Sequence, residues 1–139
     1  MVKLIIGTKG TGKTKILLGL VNSATEKSKG SVICIEKGAK LNYDVTYRAR
    51  LIDTDEFAIQ DAQSLYGFIT GIVASNRDIT DIYVDSALKI CGDNVDDFAA
   101  FVAEVDAISA KLGFDCTMTS SLDFKACPDS LKDKVINMQ

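Results

Sequence analysis

Two periodicities alternate along this chain. Short, nearly unbroken apolar runs read "VKLII" (Val2 to Ile6), "SVICIE" (Ser31 to Glu36), "ARLID" (Ala49 to Asp53), "DIYVD" (Asp81 to Asp85) and "FDCTMTS" (Phe114 to Ser120). Runs of that length suit strands covered on both faces. Between them apolar positions recur three and four apart, as on one face of a helix. Ile16, Leu17, Leu20 and Val21 predict a first helix ending before Gly30. Leu65, Phe68, Ile69, Ile72 and Val73 predict a second, from about Phe57 to Ser75. Phe98, Phe101, Val102, Val105 and Ile108 predict a third. It should start near Asn94, with Asp96 and Asp97 favouring the positive end of its dipole, and stop at Gly113. Gly67 and Gly71 are expected to admit a closely packed neighbouring helix.

Strands alternating with helices predict an α/β fold around a mostly parallel sheet of about five strands. At 139 residues one three-layer domain over residues 1–139 is the expected organisation. Residues 37–48 are less regular, and the tail from Leu122 should hold one short helix near Pro128, the sole proline. The formal charge is −3 and the pI about 4.9, so nucleic acid is not indicated as a partner. No apolar run approaches membrane-span length, and no membrane partner is expected. The four cysteines have no metal-ligand spacing and there is no histidine. A disulfide framework, a zinc site and Ser-His or Cys-His catalysis are thereby disfavoured, and a reducing, cytoplasmic setting is expected.

One segment carries specific chemistry. "GTKGTGKT", Gly7 to Thr14, fits G-x-x-x-x-G-K-[ST] completely and sits between a predicted strand and a predicted helix. Gly7, Gly10 and Gly12 free the backbone to curl, so that amides around Lys9, Thr11 and Lys13 converge on phosphate oxygens. The helix start adds its own donors and dipole. Lys13 is expected on the β- and γ-phosphates, and the Thr14 hydroxyl on Mg²⁺. Lys9 is either a further phosphate contact or a solvated loop lysine. This is the Walker A phosphate loop.

A bound magnesium ion needs a carboxylate at the end of an apolar strand. Asp85 after "IYV" and Asp53 after "RLI" compete for that role. Asp53 opens an acidic run with Asp55 and Glu56 that also suits a helix start, with Thr54 or Asp55 as its cap, so Asp85 is the favoured metal acid.

The order of these features resembles the core of RecA-type ATPases, a branch of the P-loop NTPases, with "YVDSALKI" (Tyr83 to Ile90) similar to the Asp-Ser form of that family's magnesium motif. The chain also resembles a set of short bacterial P-loop proteins. The RecA resemblance implies a strand order 5-1-4-3-2, which in this chain's strand numbering puts Asp85's strand beside that of the phosphate loop and Glu36's at the far edge. It also implies Glu36 as the water-activating base, Asp85 as the magnesium acid, and Ser120 or Ser121 as the γ-phosphate sensor. From its residues alone, Glu36 reads equally as the start of an "EKG" turn.

A Mg-ATP-binding protein with weak or partner-stimulated hydrolysis is therefore expected, with Lys13, Glu36 and Ser120 as its catalytic candidates. The absence of the Asn-Lys-x-Asp guanine motif favours adenine. Arg48, Arg50 and Arg77 lack the setting of a transition-state arginine, so that cation is expected from a second copy or a protein partner. The alternatives are a nucleotide sensor without turnover and, with less support, a small-molecule kinase.

Overall fold

The computed structural model describes residues 1–41 and 44–138; Asn42 and Tyr43, in the less regular stretch, and Gln139 lie outside them. Six strands, β1 (Val2–Gly7), β2 (Ser31–Glu36), β3 (Ala49–Asp53), β4 (Ile79–Val84), β5 (Asp115–Ser121) and β6 (Val135–Met138), form one sheet in the order β3-β2-β4-β5-β1-β6. All five pairings are parallel. Parallel pairing needs crossovers, which α1 (Lys13–Lys27), α2 (Ala62–Ser75) and α4 (Val95–Leu112) provide, with shorter α3 (Ala87–Ile90) and α5 (Asp129–Lys132).

The period-two side-chain alternation splits the apolar runs between two cores. Ile5, Val32, Cys34 and Tyr83 face α1, through Leu17 and Val21. Leu4, Ile6, Ile33, Ile35, Ile82, Val84 and Met118 face the other way, against Leu65 and Ile69 of α2 and Phe98, Phe101 and Val105 of α4. This is the expected three-layer arrangement. Truncating a fully buried Leu17 or Ile69 to alanine should cost about 2–5 kcal/mol. The four cysteines are free and buried. Burial pushes the thiols of Cys34, Cys91 and Cys116 up to about 12 and raises that of Cys127.

The strand order corrects the expected one. β5 lies between β1 and β4, so the strand leading to Asp85 is not beside the phosphate-loop strand. β2 is internal, and β3 holds the far edge instead of Glu36's strand. Left out of the count, β3 leaves five strands in the order 5-1-4-3-2 with β6 as the fifth, so the RecA-like order holds with one strand added at its edge. The burial of β3 suits an edge: three of its five residues are half-buried, whereas five of six in β2 are buried.

The helix ends follow from local chemistry. Asn94 caps α4 by accepting from the Asp97 amide at 2.9 Å, and Gly113 terminates it. The second helix starts later than its apolar pattern suggests, because Asp61 and Ser64 form a reciprocal capping box. Thr54–Phe57 is a separate 3-10 turn capped by Asp53 rather than by Thr54 or Asp55. Gly67 and Gly71 correct another expectation: both are exposed, and a methyl group at either would meet nothing within 4 Å. Among the described residues no helix is long and apolar enough to cross a membrane.

Candidate functional site

Parallel strands put all their carboxyl ends on one edge, where open α/β sheets bind ligands. Gly7, Glu36, Asp53, Ser121 and Asp85, which follows β4, all lie there. From that edge the chain leaves β1 and turns through Thr8–Gly12 into α1. Gly10 and Gly12 have φ of 81° and 90°, left-handed values that strain any side chain, and Gly12 is the residue before the helix. The loop closes on itself: the Thr11 hydroxyl donates to the Thr8 carbonyl at 2.7 Å, and Lys13 Nζ donates to the same oxygen at 2.8 Å.

Lys13 is 7% exposed at the first position of α1, whose first turn has no acidic residue. Its ammonium therefore adds to the positive end of the helix dipole. Burial lowers its pKa, while the Asp85 charge acts in the opposite direction. A partly desolvated cation beside unpaired helix amides is an anion site by its electrostatics.

Thr14, the next residue, turns its hydroxyl toward Asp85, donating at 3.1 Å to Oδ1 and 3.3 Å to Oδ2. Asp85 is 8% exposed, and the Thr119 hydroxyl also donates to its Oδ1 at 2.7 Å. Thr119 in turn accepts from the Ser86 amide at 2.8 Å, so β5 fixes both the carboxylate and the start of α3. Sequence reasoning missed Thr119. Its signal was the alternation of β5, which sends Thr117, Thr119 and Ser121 to the side opposite Ser120.

Above these residues opens a cavity of about 560 Å³, within the range of small-ligand sites. Lys9 to Thr14 line it together with Lys40, Ser86, Thr119 and Ser121. Lys89 and Asp93 complete its charged lining. Four lysines and one carboxylate make the cavity positive although the chain as a whole is negative. Lys40 and Lys89 are the further residues that periodicity did not reveal.

The remaining candidates lie as follows. Ser120 is fully buried: its hydroxyl donates to the Thr119 carbonyl at 2.8 Å and accepts from the Leu88 amide at 3.3 Å. Ser121 is the member of that pair that lines the cavity. Asp53 is four strand spacings from β1, roughly 19 Å across the sheet. Its Oδ1 accepts from the amides of Gly38 at 2.8 Å and Asp55 at 2.9 Å, which is the work of a turn cap. Glu36 is 2% exposed and not part of the cavity lining. Its Oε1 accepts from the amides of Lys40 at 2.8 Å and Leu41 at 3.2 Å, while Oε2 is buried with no hydrogen-bond partner. Burial raises the Glu36 pKa; the two amides oppose the rise, and the Asp53 and Asp85 charges add to it. Arg48, Arg50 and Arg77 lie at or before the starts of β3 and β4, toward the opposite sheet edge.

The donors fit magnesium. A hydroxyl and a carboxylate in contact are hard oxygen donors, and Mg²⁺ typically takes one or two carboxylates with waters and phosphate oxygens. Among the described residues no group of three or more His, Cys, Asp or Glu side chains forms an all-protein metal cage.

No protein-family model and no curated protein sequence matches the chain. Its structure is similar to the crystal structure of the flagellar accessory protein FlaH from Methanocaldococcus jannaschii, with a TM-score of 0.61 and 16% sequence identity. The similarity covers 93% of this chain and 63% of that one. The likeness is one of fold, and with the strand order it makes the architecture RecA-like.

Proposed function

We propose that this chain is a Mg-ATP-binding protein with a minimal RecA-like ATPase site. The observation that carries the reading is the contact of Thr14 with Asp85 beneath a lysine-lined cavity. The loop amides and Lys13 would hold the β- and γ-phosphates, with Thr14 and Asp85 toward the metal. Bound magnesium would neutralise charge on the phosphate oxygens. Thr119 would keep the Asp85 carboxylate oriented.

For hydrolysis, Glu36 Oε2 would take a proton from the water attacking the γ-phosphorus. The bond to the ADP oxygen breaks with its electron pair, giving ADP and phosphate. A raised carboxyl pKa and a free oxygen support that role. A second reading, a nucleotide sensor without turnover, is favoured by the burial of Glu36 outside the cavity lining.

Titration calorimetry with Mg-ATP, paired with phosphate release from the same sample, separates the possibilities. Binding with release supports an ATPase. Binding without release, alone and at high protein concentration, supports the sensor. No binding of any nucleoside triphosphate rejects both.

A further inference from the structure

The turn between β2 and Leu41 is pinned at four residues. Gly38, at φ 86°, donates its amide to Asp53. The Lys40 and Leu41 amides converge on Glu36 Oε1, and the Leu41 side chain is buried in the core beneath α1. Lys37 is held by Asp55 at 2.7 Å. Of the turn's two charged side chains, Lys37 and Lys40, that of Lys40 is left uncommitted. Its stem runs over Gly38, 3.7 Å from where a Cβ would sit, and it reaches the cavity that Lys9 to Thr14 also line. Among the described residues no carboxylate lies within ion-pair distance of it.

We propose that Lys40 supplies, from within the same chain, the cation that grips the terminal phosphate of a bound nucleoside triphosphate. This rests on the nucleotide-site reading above and specifies how that site tells a triphosphate from a diphosphate. A lysine on a fixed backbone loses less freedom on binding than one on a mobile loop. Lys40 shares the cavity with the start of α1, so its charge adds to that of Lys13 there. With Lys13 already partly desolvated, two cations converging on one cavity favour the more highly charged anion. Glu36 acts in this arrangement as a positioning residue, since its Oε1 holds the amide of the residue that carries the cation.

The test compares Mg-ATP and Mg-ADP affinities by calorimetry for wild type, Lys40→Ala, Lys40→Arg and Lys29→Ala. Lys40→Ala should weaken ATP about tenfold, the scale of one charge-assisted hydrogen bond at a solvated site, and ADP less than twofold. Lys40→Arg should restore most of the ATP preference, and Lys29→Ala, which removes an exposed lysine before β2 outside the cavity lining, should leave the ATP-to-ADP ratio within twofold of wild type. An unchanged ratio in Lys40→Ala, or equal losses for both nucleotides, overturns the proposal while leaving the nucleotide site standing. Failure of wild type to bind either nucleotide removes the site itself and this inference with it. Circular dichroism and melting of Lys40→Ala should match wild type, because the substitution retains both backbone amides of the turn.

Discussion

The Thr14 hydroxyl and the Asp85 carboxylate meet at 3.1 Å although 71 residues separate them in the chain. The strands that lead toward the two residues do not touch, because β5 runs between β1 and β4. Contact arises because Thr14 belongs to α1, which packs across the sheet face, while Asp85 emerges just past the end of β4. The helix bridges a gap that strand adjacency leaves open.

Binding should depend on the loop lysine. At a hundredfold excess over its dissociation constant, Mg-ATP should stabilise the wild type by about 2.7 kcal/mol. That corresponds to a rise in melting temperature on the order of 8 °C for a chain of this size. Lys13→Ala should remove most of the rise without lowering the ligand-free melting point by more than a few degrees. An equal shift in wild type and variant would place the ligand elsewhere.

Magnesium dependence should discriminate the two acids. Asp85→Asn retains an acceptor for Thr119 but loses the charge, and should weaken Mg²⁺-dependent ATP binding by at least tenfold. Asp53→Asn should change it less than twofold, because Asn keeps an oxygen for the Gly38 and Asp55 amides and the site lies far across the sheet. Titration of Mg²⁺ at fixed ATP compares them directly. A greater loss in the Asp53 variant would reverse the assignment.

Glu36 makes two predictions that separate its structural from its chemical role. Its folded pKa is raised above the ordinary value of 4.5, so the folded state holds the proton more tightly than the unfolded chain. The stability this contributes is complete below the unfolded pKa and is lost as pH rises through the folded one. Glu36→Gln has no such loss, and its stability relative to wild type should grow from pH 4 to pH 7 in urea titrations. The opposite trend would mean that the Lys40 and Leu41 amides outweigh burial. Where wild-type turnover is measurable, Glu36→Gln should reduce it by ~10²-fold with little change in ATP affinity, the scale of general-base help. Equal turnover would leave Glu36 with only the turn to hold.

The second helix offers a gain. Gly67 and Gly71 sit inside α2 with open space around them. Replacing either with alanine should stabilise the fold by about 0.5–1 kcal/mol, through the helix preference of alanine alone. Chemical denaturation of the single and double variants should show additive gains. A loss in either would mean that the added methyl group is not accommodated in open space.

Much of this architecture is legible in the residues. Five strands and the long helices follow from period and capping, since "SVICIE" and the Phe98–Ile108 stripe each satisfy one template only. The order of strands does not, because an apolar run does not record its neighbour. "ARLID" reads as buried yet forms the edge. The four-residue elements α3 and β6 were missed because neither "ALKI" nor "VINM" is long enough to establish a period. At the site, the phosphate loop is legible because its backbone demands glycine at set positions. Lys40 is not, because its role comes from the folding of a turn; the alternation of β5 marks the side on which Thr119 emerges, but not that Asp85 lies there.

The buried thiols turn the four cysteines into reporters of breathing. Alkylation requires thiolate, and burial that raises all four thiol pKa values leaves little of it in the folded state. Each sulfur should therefore react chiefly through excursions in which its own segment lifts away. Cys34 monitors β2, Cys116 monitors β5, Cys91 the end of α3, and Cys127 the turn before α5. Mass spectrometry of timed alkylation would rank those openings against one another. Added Mg-ATP should slow Cys34, which sits two residues before Glu36, more than Cys127.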